Sequence, residues 1–124
     1  MKTILVVDDN ASIRTLVRDY LSEQGFRVLT ANNGQNALFV ARQDKPDLIL
    51  LDIMMPDKSG DDIAQELRDD PRLSSIPIVF LTALVTPDET GAKASKIGGN
   101  IFLAKPVSAD ELVAVIEETL SNGV

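Results

Sequence analysis

Four consecutive apolar residues, Leu48-Ile49-Leu50-Leu51, end abruptly at a carboxylate, Asp52. An unbroken apolar run has no polar face to turn toward water. It therefore reads as a strand covered on both sides, as in the middle of a parallel sheet. Such a strand requires other elements on both faces, and the rest of the chain offers them in alternation. Thr3–Val7, Arg27–Thr30, Pro77–Leu81 and Ile101–Ala104 are further short strand patterns. Between them, Ala11–Gln24 carries Ile13, Leu16, Val17, Tyr20 and Leu21 at helical spacing and stops at Gly25. A second helix opens at Asn33-Gly34, runs through Ala37, Leu38 and Ala41, and ends at Lys45-Pro46. Asp61–Asp69 is a third, with Ile63, Ala64 and Leu67 inward. Pro87 to Ile97 is a weak fourth, with Gly91 inside it and few large apolar residues. Ser108, with Glu111 at the capping-box position, opens a fifth through Leu112, Val113, Ile116 and Leu120. Alternation of this kind predicts one α/β domain over residues 1–124: a doubly wound, five-stranded parallel sheet with five helices on its two faces.

In an open α/β sheet the carboxyl ends of the strands share one edge, and ligands bind there. The first strand ends in Asp8-Asp9, the third in Asp52, the fourth in Thr82 and the fifth at Lys105. Three carboxylates gathered at one edge need a physical reason. Two unit charges about 5 Å apart at an effective dielectric of about 20 repel by roughly 3 kcal/mol. Two or three such pairs rival the whole stability of a small domain, roughly 5–15 kcal/mol. A single ammonium, Lys105, cannot neutralise three carboxylates, so either one of them stays protonated or a cation binds. The chain has no His and no Cys, which leaves oxygen ligands and favours a hard ion, Mg²⁺ first, with Mn²⁺ or Ca²⁺ as alternatives.

Composition narrows the partners. A net charge of −7 disfavours contact with a phosphate backbone, so no direct nucleic-acid partner is expected of this domain. No apolar stretch approaches the roughly 20 residues of a membrane span, and no signal peptide is read at Met1-Lys2. The absence of cysteine accords with the cytoplasm. Singly, the polar residues have bland explanations: Asp8-Asp9 as a helix cap, Thr82 as a β-former, Lys105 as a surface lysine, Phe102 and Met54 as packing. Their joint occurrence at one edge favours one site.

The set Asp8-Asp9, Asp52, Met55-Pro56 with Gly60, Thr82-Ala83, Phe102 and Lys105-Pro106 resembles the receiver domain of bacterial two-component response regulators, in order and across essentially the whole chain. The resemblance implies a flavodoxin-like sheet of strand order 2-1-3-4-5. It also implies that Asp52 takes a phosphoryl group from a phosphohistidine on a histidine kinase or phosphotransfer protein. Asp9, Asp52 and the backbone carbonyl of Met54 would hold Mg²⁺, with Asp8 acting mainly through water. Lys105 would pair with the phosphoryl oxygens and Thr82 would hydrogen-bond one of them. Phe102 would follow Thr82 inward as a switch, Gly60 would be structural, and the Lys105-Pro106 bond would be cis. Such a domain catalyses only its own phosphorylation and dephosphorylation, which makes it a signalling protein rather than an enzyme, and a monomer or weak homodimer. Apolar Met54 and Leu84 flank the acceptor and would shield the phosphoryl group from water. The exposed face around Ala11, Arg14, Thr15 and Arg18 is the expected kinase-docking surface. A face formed by the fourth helix, fifth strand and last helix, where Val115 lies off the buried stripe, is the expected effector surface.

Two other classes compete. A metal-dependent phosphohydrolase could use Asp52 as a turnover nucleophile, but the chain lacks His and any further general acid. A flavin binder of similar fold would need aromatic sandwiching, and one Tyr, four Phe and no Trp supply little.

Overall fold

The computed structural model of the chain describes residues 1–53, 59–82, 94–97, 100–104 and 109–122. The apolar run forms strand β3 (Leu48–Asp52), with every residue buried. Around it lie β1 (Thr3–Val7), β2 (Arg27–Ala31), β4 (Ile78–Thr82), β5 (Ala94–Ile97) and β6 (Asn100–Ala104). The described helices are α1 (Ala11–Glu23), α2 (Gly34–Asp44), α3 (Gly60–Asp69) and α4 (Ala109–Asn122). The sheet order is β2-β1-β3-β4-β6-β5. The first five strands in that order pair in parallel, as the alternation of elements predicts.

Strand periodicity explains why the run in β3 is unbroken. Alternate residues of a strand point to opposite faces. Leu5, Val7, Ile49, Leu51, Ile78 and Phe80 pack with Leu38, Ala41, Ile63 and Leu67 of α2 and α3. Their neighbours Ile4, Val6, Leu48, Leu50, Val79 and Leu81 pack with Val17, Leu21, Leu112 and Ile116 of α1 and α4. Both faces are dry, so neither set can be polar. The packing also corrects one side-chain expectation: Leu16, counted in the apolar spacing of the first helix, is 42% exposed. Val115 lies outside the buried set of α4 and is half-buried against the second core layer.

The edge of the sheet differs from expectation. The weak helix expected over Pro87–Ile97 gives way, at its carboxyl end, to β5, which runs antiparallel to β6 with Ile97 opposite Asn100. Among the described residues the sheet thus has six strands rather than five and the helices number four rather than five; the remainder of the expected fourth helix, residues 87–93, lies outside the described residues. Ala94-Ser95-Lys96-Ile97 carries one large apolar residue and no helical stripe, so nothing in it favours a helix over pairing with an open sheet edge.

Side-chain caps fix the helix starts. The Asn10 carboxamide oxygen accepts from the N–H groups of Ser12 and Ile13, Asn33 accepts from Asn36 and Ser59 accepts from Asp62. At the other end of α2, Lys45 takes a left-handed conformation (φ 45°) and its N–H donates to the Ala41 carbonyl. A side chain with a Cβ is strained there, whereas glycine is not. Lys45→Gly is therefore expected to stabilise the fold by about 1 kcal/mol, seen as a higher urea midpoint at unchanged m-value.

Candidate functional site

The parallel register brings the strand ends to one level. Val7 pairs with Leu51 and with Ala31, and Asp52 pairs with Leu81. Asp8, one residue past Val7, and Asp52 therefore emerge side by side from adjacent strands. Asp8 is fully buried, Asp52 is 4% exposed, and Asp9 is exposed. One carboxylate oxygen from each of the three lies within 4.8 Å of the others. No other such acidic convergence occurs among the described residues.

Local backbone chemistry holds this arrangement. The Asp8 N–H donates to the Ala31 carbonyl at 3.2 Å, and Asp8 Oδ1 accepts from the Asn10 N–H at 2.9 Å. The Asp8 carbonyl accepts from Arg14 Nη1 at 2.8 Å. On the other strand, the Ile53 N–H continues the ladder to the Leu81 carbonyl at 3.3 Å, and the Gly60 N–H closes onto the Ile53 carbonyl at 2.8 Å. Gly60 sits so close that a Cβ on it would lie 2.7 Å from the Asp52 carbonyl oxygen. The missing Cβ of Gly60 lets the start of α3 press against the backbone of Asp52.

The donor set suits a hard cation. In an octahedron, opposite oxygens lie about 4.2 Å apart around Mg²⁺ and about 4.8 Å around Ca²⁺. The three carboxylates span a comparable distance. They also repel one another by about 3 kcal/mol per close pair at an effective dielectric of about 20, which a divalent ion would relieve. In the loop before β4, hydrogen bonds from Arg72 hold the Asp70 carboxyl below its ordinary value.

Of the remaining expected site residues, Thr82 is the last residue of β4, with its backbone opposite Ala104, and Phe102 lies mid-strand opposite Phe80. Met54, Met55, Pro56, Leu84, Lys105 and Pro106 lie outside the described residues. On the expected docking face, Ala11, Thr15 and Arg18 are exposed, but Arg14 is half-buried and turned to Asp8. That role was not read from the sequence.

The family described as "Response regulator receiver domain" matches residues 4–117 of the chain. The "Probable transcriptional regulator ycf27" of Pyropia yezoensis is 44% identical over 119 residues, covering 94% of this chain and 46% of that protein. The "Polar-differentiation response regulator DivK" of Brucella anthropi is 31% identical over 121 residues and 98% of both chains. The chain thus spans about half the length of the first of these relatives and nearly all of the second. Among solved structures, the chemotaxis protein CheY4 of Vibrio cholerae superposes with a TM-score of 0.82 at 30% identity, over 95% of this chain and 98% of that one.

Proposed function

This chain belongs to the response regulator receiver domain family of two-component phosphorelay signalling, and on that premise we propose that Asp52 is its phosphoacceptor. The observation that carries the reading is the convergence of Asp8, Asp9 and Asp52 within 4.8 Å at the carboxyl ends of β1 and β3. An Asp52 carboxylate oxygen attacks the phosphorus of a phosphohistidine on a histidine kinase or phosphotransfer protein. The phosphorus–nitrogen bond breaks, the imidazole leaves, and an aspartyl phosphate remains. Asp9, Asp52 and the Met54 carbonyl would hold Mg²⁺, with Asp8 acting through water. The bound ion supplies the positive charge that lets a phosphoryl group approach carboxylates. Lys105 and Thr82 then engage the phosphoryl oxygens, and Phe102 repacks to alter the effector-binding face. Residues 1–124 act as one receiver unit in the cytoplasm, monomeric or weakly dimeric, signalling to an effector protein rather than to nucleic acid. Among the described residues no helix is long and apolar enough to cross a membrane.

The test is incubation with acetyl phosphate and Mg²⁺ followed by intact-mass spectrometry. One phosphoryl group per chain, dependent on the metal and absent from an Asp52 variant, supports the reading. Sustained turnover of phosphate monoesters would instead place the chain among the hydrolases.

Metal removal gives an independent check. A ligand that binds only the folded state, present at ten times its Kd, adds about 1.4 kcal/mol of stability. For a domain of this size that corresponds to a rise of about 4–6 °C in Tm. Mg²⁺ is expected to produce this shift, EDTA to reverse it, and NaCl at matched ionic strength not to reproduce it. Asp9→Asn should shrink the response.

A further inference from the structure

We propose that Arg14 is a positioning residue for the acidic cluster, an assignment that rests on reading this cluster as a divalent-cation site. The connection from β1 to α1 is only Asp8-Asp9-Asn10, and its two buried or capping members are tied down. Asp8 is held through its N–H, its Oδ1 and its carbonyl oxygen, and Asn10 is held by the cap it forms over Ser12 and Ile13. Asp9, the exposed carboxylate between them, takes its direction from the peptide planes on either side. The first of those planes contains the Asp8 carbonyl, and the guanidinium of Arg14 donates to that oxygen at 2.8 Å. Arg14 is itself anchored one turn into α1, where its N–H donates to the Asn10 carbonyl at 3.1 Å. A rigid, charge-assisted donor from the helix thus fixes the plane that aims Asp9.

The charge of Arg14 acts in the opposite sense from its hydrogen bond. A fixed cation beside a cation site repels the incoming ion, so on charge alone its removal would tighten metal binding. On positioning, its removal weakens binding, because Asp9 loses its aim. Groups that orient a metal ligand are worth about 10–100-fold in affinity. The two effects predict opposite signs, which makes the question decidable.

The experiment is Mn²⁺ titration of the wild-type chain, Arg14→Met and Arg14→Lys, following free Mn²⁺ by its paramagnetic resonance signal, with circular dichroism and urea unfolding in EDTA as controls for the fold. Arg14→Met keeps the aliphatic stem and removes the donors. It is expected to weaken Mn²⁺ binding about tenfold with little change in metal-free stability, and Arg14→Lys, which retains a donor, to recover most of the loss. Equal or tighter Mn²⁺ binding by folded Arg14→Met overturns the proposal. Should Arg14→Met not fold, Arg14→Leu carries the same comparison, a donor-free side chain with a shorter stem. Failure of the wild-type chain to bind Mn²⁺ would refute the cation-site reading itself, a result distinct from the failure of Arg14 alone.

Discussion

Asp52→Asn is expected to abolish phosphoryl incorporation while making the metal-free protein more stable. Asparagine has nearly the shape of aspartate but no carboxylate to attack phosphorus, and the described residues place no other carboxylate at the end of β3. The loss of labelling should therefore be complete within detection. The stability gain follows from the same cluster. Asp52 is 4% exposed beside the fully buried Asp8, and both lie within 4.8 Å of Asp9. Deleting one charge removes two repulsive pairs, each worth about 3 kcal/mol at an effective dielectric of about 20. Solvent at the exposed Asp9 and the altered hydrogen bonding of the amide offset much of that. A net gain of about 1–2 kcal/mol remains. In urea unfolding with EDTA the variant should have the higher midpoint. With Mg²⁺ the wild-type should gain and the variant should gain much less, so that the curves converge or cross. A variant less stable than wild-type in EDTA would show that the cluster's hydrogen bonds outweigh its repulsion, and the electrostatic argument for a bound cation would lose its footing.

The sequence made some of this legible for identifiable reasons. A strand buried on both faces has to be apolar at every position, so Leu48–Leu51 announced itself and placed Asp52 at its end. Parallel strands end on a common edge, so Asp8 and Asp9 could be assigned to the same site with no knowledge of distances. What escaped is what depends on exact reach or on weak local preference. The Arg14 side chain closes on a backbone carbonyl six positions away, and neither hydrophobic pattern nor charge pattern encodes that. Leu16 fits the helical stripe but lies at its margin, so an angular error of one residue decides between core and solvent. Ala94–Ile97 has too little apolar content to choose a helix, and a neighbouring sheet edge decided its conformation instead. In each miss, tertiary context overrode a local signal that was faint to begin with.

Gly60→Ala is expected to have the largest effect of any single methyl addition at the site, on folding and on phosphorylation together. The new Cβ would lie 2.7 Å from the Asp52 carbonyl oxygen and 2.8 Å from the Ile53 Cα. Both are backbone atoms, so no side chain can swing aside. Either the first turn of α3 retreats, breaking the 2.8 Å bond from the Gly60 N–H to the Ile53 carbonyl, or the end of β3 moves and takes the nucleophile with it. Overpacking of this kind costs about 1–3 kcal/mol, and a lost hydrogen bond adds about 1 kcal/mol. Alanine recovers about 0.5–1 kcal/mol through helix propensity and a less flexible unfolded chain, leaving a net loss of about 1–3.5 kcal/mol. Gly25 supplies the control. It has a positive φ of 90° but nothing within 4 Å of an added Cβ, so Gly25→Ala costs stability through backbone strain alone. The two variants should therefore separate the effects: both lower the urea midpoint, but only Gly60→Ala should slow acetyl phosphate labelling of the protein that remains folded. Equal labelling rates would mean that α3, and not the end of β3, absorbs the clash, and the close approach of Gly60 would then be a matter of helix docking rather than of aiming Asp52.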